Sequence, residues 1–338
     1  MKYIQYGCGK MSKPTIEYAS SIGYELVGAV DINPDIIGSE YYGVNITHAD
    51  DFKNLLDSTK PDIVIVETMS LLSDLESVLT ICAENGINAI TTCEEAFFPI
   101  VSNPTLTKKI DSLAKENNCT ITGSGYQDAF WGNLITTLAG ANSKITKIKG
   151  SSSYNVEDYG IALAKVHGAG MTLDEFDEKV AAADKISKEE RDELINKGEF
   201  TPSYMWNVVP WIADKLGLNL IDMTQKCIPL TNSEDLKSDT LNMTIKAGDA
   251  TGMSAVVVGK TEEGIEIEAE CIGKVYNSEE FDKNEWTVSG ENETTLIINK
   301  PDTVSLTCAT IVNRMEDVVA SKPGFVPTSQ MGELTYRK

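Results

Sequence analysis

The chain has 338 residues, of which 41% are hydrophobic, so it can bury a sizeable core and form two domains of ordinary size. Its 51 acidic and 29 basic residues give a formal net charge of −22, which predicts repulsion from nucleic acids and anionic membranes. The same charge favours a cationic substrate, although an acidic surface also serves solubility alone. We therefore expect a small-molecule ligand and no nucleic acid partner.

Apolar runs and cysteines indicate the compartment. The longest apolar runs, such as DIVIV, are far shorter than the roughly 20 residues that cross a bilayer, and the first residues lack the pattern of a signal peptide. Seven scattered cysteines without a C-x-x-C pair are typical of reduced thiols and not of a structural zinc site. These features predict a cytoplasmic protein without a membrane segment or a bound metal.

The first part of the chain alternates short apolar runs with helical segments. A β-rich run at 2–7 is followed by a helix at 13–22, which Pro14 helps to start, and by a strand at 24–31. Further strands are predicted at 62–69, 87–93 and 119–125, with helices at 71–86 and 106–118. This alternation predicts an α/β fold with a doubly wound parallel sheet of the Rossmann type.

From about residue 145 the pattern changes. A strand is predicted at 144–155, charged helical segments at 172–196, and a helix interrupted by Pro210 at 203–218. Alternating Val, Ile and Thr between 241 and 304 predict a mainly antiparallel sheet, and a final helix ends near Pro323. We expect a Rossmann domain at 1–125, rejoined by 309–338, and a second α+β domain for substrate binding and dimerisation at 126–308.

The stretch GCGKMS nearly matches the dinucleotide-binding fingerprint G-x-G-x-x-G. Gly7 would allow the tight turn after the first strand, and Gly9 would let the backbone approach a pyrophosphate at the helix N-terminus. Ser12 takes the place of the third glycine, which serves close packing of helix and strand. With Lys10 and Met11, these glycines are the predicted start of a nucleotide site.

The ends of the following strands supply further candidates for coenzyme contacts. Asp31 ends the second strand, where a carboxylate can accept hydrogen bonds from the adenosine ribose, and this favours NAD while leaving NADP possible. The alternative is that Asp31 is a surface turn residue. Because ligands lie beyond the carboxyl ends of parallel strands, we also assign Thr68, Cys93 and Gly125 to the coenzyme site.

Two adjacent carboxylates, Glu94 and Glu95, follow the strand that ends at Cys93. Two carboxylates in a cleft repel each other, which raises the pKa of one toward that of a useful general base. The alternative is that they form the acidic first turn of a helix, where the helix dipole favours them. The sequence leaves both interpretations open.

Histidine-based sites have little support. His48 and His167 are the only histidines, and neither H-E-x-x-H nor G-x-S-x-G occurs. His167 precedes a glycine-rich turn and is a candidate substrate contact, although a solvated loop histidine fits the same pattern. The sequence thus gives no metal site and no Ser-His-Asp triad.

Several segments, in order along the whole chain, resemble the 2,4-diaminopentanoate dehydrogenases and the related native amine dehydrogenases. They are YGCGKM, VGAVDINPDIIG, INAITTCEEAFFP, TITGSGYQDAF, KVHGAGMTLDEF and PGFVPTSQMGE. The resemblance implies NAD(P)-dependent oxidative deamination of an amine or amino acid to a ketone and ammonia, reversible as reductive amination. It also implies that a carboxylate of the Glu94–Glu95 pair acts on the amine, and that the protein is a homodimer.

The chain departs from this family where substrate and nicotinamide should meet. The family usually has Asn-Pro-Gly after its Gly-x-Gly turn, whereas Tyr126, Gln127 and Asp128 follow Gly125 here. We assign these three residues, with His167, to the substrate site. The altered segment leaves two alternatives open, which are a catalytically inactive NAD(H)-binding sensor and an oxidoreductase for another carbonyl substrate.

Related enzyme classes fit less well. A dihydrodipicolinate reductase is expected to show adjacent histidines, which this chain lacks. A sugar dehydrogenase of the glucose-fructose oxidoreductase type is expected to carry Glu-Lys-Pro where this chain has Glu94, Glu95 and Ala96. The lysine that would donate to a sugar hydroxyl is therefore missing.

Overall fold

The computed structural model describes residues 1–338, apart from the side chains of residues 162 and 183. The strands, in chain order, are β1 (Lys2–Tyr6), β2 (Glu25–Asp31), β3 (Glu40–Tyr41), β4 (Val44–His48), β5 (Ile63–Val66), β6 (Asn88–Thr91), β7 (Thr120–Gly123), β8 (Ile145–Asn155), β9 (Leu220–Thr231), β10 (Leu236–Ser238), β11 (Met243–Ile245), β12 (Ala250–Thr261), β13 (Glu266–Lys274), β14 (Lys283–Gly290), β15 (Glu293–Asn299) and β16 (Gly324–Phe325).

The α-helices are α1 (Ser12–Ser21), α2 (Phe52–Thr59), α3 (Glu76–Glu84), α4 (Pro104–Glu116), α5 (Leu134–Gly140), α6 (Ile161–Val166), α7 (Leu173–Lys179), α8 (Lys188–Lys197), α9 (Tyr204–Leu216) and α10 (Thr303–Val319). A π-helix, Asp128–Asn133, directly precedes α5. Among the described residues, no helix combines the length and the apolar character that a membrane span requires.

The chain forms two compact units. The first consists of Met1–Leu134, Leu194–Thr201 and Asp302–Lys338, and the second of Ile135–Glu193 and Pro202–Pro301. The expected limits at 125 and 309 differ from these bounds. The division into two functional domains, with substrate binding and dimerisation in the second, stays a prediction.

The first unit contains an eight-stranded sheet in the order β16-β7-β6-β5-β1-β2-β4-β3. Its neighbouring strands are parallel apart from the short β3, which pairs antiparallel with β4. From β1 the chain first builds outward through β2 and β4 and then returns to β5 on the other side. The crevice at the carboxyl ends of β1 and β5 is therefore the topological switch point, where such folds bind nucleotides.

Helices cover both faces of this sheet, which explains the nearly continuous apolar strands. Ile4 of β1 packs in one buried cluster with residues of α2, α3 and α4, whereas Tyr3 packs in another with Ile16 of α1 and Ile311 of α10. The predicted doubly wound parallel sheet is confirmed. We did not predict β4, α2 or β16.

The second unit contains a six-stranded sheet in the order β15-β14-β8-β13-β12-β9 and a small antiparallel pair, β10 and β11. Within the larger sheet, only β8 and β13 are parallel, so the predicted mainly antiparallel sheet is confirmed. Helix α9 packs against β9, β12 and β13. It continues through Pro210, so the predicted interruption is wrong. Packing of buried neighbours such as Val209 and Trp211 offsets the roughly 3 kcal/mol that an internal proline costs.

Candidate coenzyme and active site

The turn after β1 requires glycine at its first position. Gly7 has φ +96°, and a Cβ there would lie 2.4 Å from the carbonyl oxygen of Glu67, which follows β5. The Gly7 amide donates to the Val30 carbonyl at 2.8 Å, and the Glu67 amide donates to the Tyr6 carbonyl at 2.9 Å. The turn is therefore pressed between the ends of β2 and β5.

The second glycine lies in open space. A Cβ on Gly9 would meet no atom within 4 Å, and Gly9 and Lys10 are exposed. Because no protein atom requires glycine here, the bare backbone suits the close approach of a ligand. Helix α1 begins directly after Met11, so its N-terminal amides can meet an anion there. This geometry fits a dinucleotide pyrophosphate.

Ser12, at the third glycine position, is fully buried. Its hydroxyl donates to the Gly9 carbonyl at 2.7 Å and lies 2.7 Å from the Tyr41 hydroxyl. These bonds satisfy the polar group, so a serine packs where the fingerprint has glycine.

Asp31 is fixed by the same loop. Its Oδ2 accepts from the Cys8 amide at 2.7 Å, and its Oδ1 accepts from the Ile32 and Asn33 amides at 2.8 Å. The carboxylate is thus held at the end of β2 beside the glycine turn. Oδ1 already accepts two bonds, whereas Oδ2 accepts one and keeps a lone pair that can accept from a ribose hydroxyl.

The other strand ends differ in exposure. Thr68 is exposed, and its Cγ2 would lie 2.8 Å from a Cβ on Gly7, so it flanks the turn. Gly125 follows β7 with φ +125°, a backbone conformation that favours glycine. The Cys93 side chain is fully buried in the core, which leaves its backbone for any coenzyme contact.

Glu94 and Glu95 occupy different environments after β6. Glu95 is buried, and its Oε1 accepts from the Ser102 hydroxyl at 2.7 Å while its Oε2 accepts from the Leu72 amide at 2.7 Å. Glu94 is half-buried, and its side chain hydrogen-bonds Ser70. Burial raises the pKa of both carboxyls above the usual value for glutamate.

The segment after Gly125 is mostly interior. Tyr126 is buried and stacks on Phe130, with ring centroids 4.4 Å apart, while Gln127 donates to the Ser124 carbonyl at 2.9 Å. Asp128 is fully buried. Their predicted substrate contacts stay predictions.

Asp128 forms an ion pair inside the first unit. Its Oδ2 accepts from Arg314 Nε at 2.7 Å and from the Ser124 hydroxyl at 2.8 Å. Its Oδ1 accepts from Asn133 Nδ2 at 2.7 Å and from Arg314 Nη2 at 3.3 Å. The carboxylate therefore holds the π-helix to α10 and does not face solvent.

His167 belongs to the second unit and is buried there. Its Nδ1 lies 2.8 Å from the Leu163 carbonyl, and its Nε2 lies 2.6 Å from the Tyr154 hydroxyl. Because a carbonyl only accepts, Nδ1 carries the proton and Nε2 accepts from the tyrosine. Burial lowers the pKa of His167, which favours the neutral ring. It is thus an ordered histidine and not a solvated one.

Sequence reasoning missed the polar network under the glycine turn. Glu67 accepts from the Thr15 hydroxyl at 2.7 Å and from Gln5 Nε2 at 2.8 Å, and all three residues are buried. The available signal was Gln5, which directly follows the apolar Tyr3 and Ile4 in the first strand, because a buried amide requires a partner.

Gly9→Ala separates coenzyme binding from folding. The added methyl meets no protein atom, so we expect the free energy of unfolding to stay unchanged while the dissociation constant for NADH rises about tenfold or more. NADH fluorescence titration and urea denaturation measure the two quantities. Gly7→Ala is the contrasting variant, since its methyl would overlap the Glu67 carbonyl and lower stability as well. Unchanged NADH affinity in Gly9→Ala would contradict a pyrophosphate site at this turn.

Comparison with known proteins identifies several relatives. Residues 130–335 match the family model described as 2,4-diaminopentanoate dehydrogenase C-terminal domain. The 2,4-diaminopentanoate dehydrogenase of Acetoanaerobium sticklandii is 23% identical over 330 residues, which cover 92% of this chain and 89% of that protein.

Solved structures extend this similarity. The amine dehydrogenase from Mycobacterium smegmatis is 34% identical with a TM-score of 0.85, and the match covers 100% of this chain and 97% of that one. The scyllo-inositol dehydrogenase from Lactobacillus casei has a TM-score of 0.57 at 15% identity, covering 97% and 91% of the two chains, and shares the fold alone.

Proposed function

Because the chain belongs to the 2,4-diaminopentanoate dehydrogenase family, we propose that it oxidatively deaminates an amine or amino acid with Glu94 as its acid–base group. The observation that carries this assignment is the contrast between the two adjacent carboxylates. Both oxygens of Glu95 accept hydrogen bonds inside the protein, from the Leu72 amide and the Ser102 hydroxyl. Glu94 is half-buried, and its side chain hydrogen-bonds Ser70. Glu94 follows the carboxyl end of β6. Because β6, β5 and β1 are parallel, this is the same end of the strands at which the glycine turn follows β1.

The carboxylate of Glu94 can accept a proton from the substrate ammonium, which frees the nitrogen lone pair. Bound NAD(P)⁺ would accept the hydride from the carbon that bears the nitrogen. Glu94 passes this first proton to solvent, then takes a proton from the water that adds to the iminium and returns it to the nitrogen of the resulting carbinolamine. As ammonia leaves, the carbinol hydroxyl loses its proton and becomes the ketone carbonyl. The products are a ketone, ammonia, the reduced coenzyme and two protons, and each step is reversible.

Residues of the glycine turn would hold the coenzyme. Gly7, Gly9, Lys10 and Met11 would surround the pyrophosphate, and Asp31 would accept from the adenosine ribose. The Asp31 carboxylate would repel a 2′-phosphate, so NAD is the preferred coenzyme in this proposal.

The test incubates the protein with 2,4-diaminopentanoate or one of a panel of simple amines, in parallel with NAD⁺ and with NADP⁺. The absorbance of the NADH or NADPH formed measures the rate. We expect turnover with at least one amine and a higher kcat/KM with NAD⁺. NADH binding without oxidation of any amine would overturn the proposal in favour of the sensor or another carbonyl substrate.

Homodimer formation and a cytoplasmic location complete the proposal. One face of the six-stranded sheet packs on α9, while the opposite face carries charged pairs such as Lys147 with Glu266 at 2.9 Å and Lys149 with Glu268 at 2.9 Å. This partly exposed face is the candidate dimer surface. A molar mass in solution of twice that of one chain would support the dimer.

All seven cysteines are free thiols, which supports a reducing compartment.

A further inference from the structure

A buried carboxylate lies directly beneath the turn proposed to hold the coenzyme pyrophosphate. Glu67 is 8% exposed, and its backbone carbonyl is the atom that forbids a side chain at Gly7. Gln5 Nε2 donates both to Glu67 Oε2 at 2.8 Å and to the Gly7 carbonyl at 3.0 Å. One amide group thus joins the carboxylate to the turn itself.

The carboxylate is also joined to the start of helix α1. The Thr15 hydroxyl donates to Glu67 Oε1 at 2.7 Å and lies 3.0 Å from the Met11 carbonyl. Glu67 therefore contacts both structures that would receive a pyrophosphate, the glycine turn and the helix N-terminus.

No described residue offers Glu67 a cation. The titratable groups that face it are the phenols of Tyr3 and Tyr41 and the thiol of Cys308, all of which are neutral near pH 7. Desolvation raises the pKa of Glu67 to about 7. A negative group at this position opposes the arrival of a second one.

We propose that Glu67 couples coenzyme binding to proton uptake, so that the bound pyrophosphate sits above a protonated carboxyl. This inference rests on the proposed coenzyme site. Glu67 is a positioning residue, because it acts on the turn through Gln5 and Thr15. The protonated carboxyl can keep both bonds, since one oxygen still accepts from Gln5 and the other can donate to Thr15.

The sign of the effect follows from linkage. Pyrophosphate nearby raises the pKa of Glu67 further, so binding takes up a proton and affinity falls as pH rises through about 7. A pKa increase of one unit corresponds to a tenfold change in affinity. We therefore expect the dissociation constant for NADH to rise about tenfold between pH 6 and pH 9.

The experiment is calorimetric titration of the full chain with NADH from pH 6 to pH 9, in buffers with different ionisation enthalpies. Wild type should take up a substantial fraction of a proton near pH 7. Glu67→Gln should take up none through this group, and it should bind NADH more tightly than wild type at pH 9. Glutamine preserves the network, since its oxygen accepts from Gln5 and its amide donates to Thr15.

Glu17→Gln is the matched control, because it removes one negative charge from an exposed position on α1, the helix that also carries Thr15. It should show the wild-type proton uptake. Identical uptake in wild type and Glu67→Gln, or no uptake in wild type, would overturn the inference while leaving the coenzyme site intact. Failure to bind NADH at any pH would overturn the proposed function together with it.

Discussion

Glu94→Gln should lower kcat for amine oxidation about a hundredfold to ten-thousandfold, because that is the usual contribution of a positioned acid–base group. Glutamine keeps the size of the side chain and can still bond Ser70, but it cannot accept the ammonium proton. Since Glu94 lies after β6 and the glycine turn after β1, the dissociation constant for NADH should change little. Steady-state kinetics and NADH fluorescence titration give the two quantities.

Glu95→Gln is the matched control for this experiment. Its oxygen can accept from the Leu72 amide and its amide can donate to the Ser102 hydroxyl, so we expect a modest loss of stability and kcat within a few-fold of wild type. The opposite pattern, with Glu95 essential and Glu94 dispensable, would reverse our assignment.

The pH profile gives a second readout on Glu94. Burial raises the pKa of its carboxyl, and only the ionised form can accept a proton from the ammonium. The deamination rate should therefore fall as pH decreases through this raised pKa. In Glu94→Gln the residual rate should lack that acidic limb, whereas in Glu95→Gln it should persist.

Local patterns were sufficient for the elements that build the coenzyme site. The run at 2–7, the glycine turn and the helix near Pro14 follow from short-range rules of burial, turn geometry and helix starts. Strand β4 was missed because VNITH is short and half polar. Strand β9 was missed although it has 12 residues. Its internal Pro229 argues against a strand in the sequence, but β9 lies at the edge of its sheet, where a proline is tolerated.

Tertiary partners were beyond the reach of the sequence. The adjacent carboxylates of Glu94 and Glu95 were identical by pattern, and only the contacts of Glu95 with Ser102 and Leu72 distinguish them. Asp128 is assigned to the substrate site because it lies where the chain departs from the family's Asn-Pro-Gly segment, and that assignment stays a prediction. Its partner Arg314 is 186 residues away along the chain, and no local rule connects the two.

Removal of Arg314 should have the largest effect on stability. Its side chain is fully buried, bonds Asp128 through Nε and donates from Nη1 to the Gly332 carbonyl at 2.6 Å. Loss of one partner of a buried ion pair leaves an uncompensated charge, which costs about 3–5 kcal/mol. We therefore expect Arg314→Leu to lower the free energy of unfolding by about that amount in urea denaturation followed by circular dichroism.

Arg337→Leu provides the comparison, because Arg337 pairs with Glu316 at 3.1 Å and Asp317 at 2.7 Å nearer the surface. Partly exposed ion pairs contribute about 0–1 kcal/mol to the free energy of unfolding, so Arg337→Leu should be the milder variant. A similar decrease in the free energy of unfolding in both variants would contradict the special role of the buried pair. The double variant Asp128→Asn with Arg314→Leu removes both charges and should cost less than the sum of the single changes. The difference between the double variant and the sum of the single variants is the interaction free energy of the pair. Since Asp128 begins the π-helix and Arg314 lies in α10, this free energy measures how strongly α10 stabilises the segment after β7.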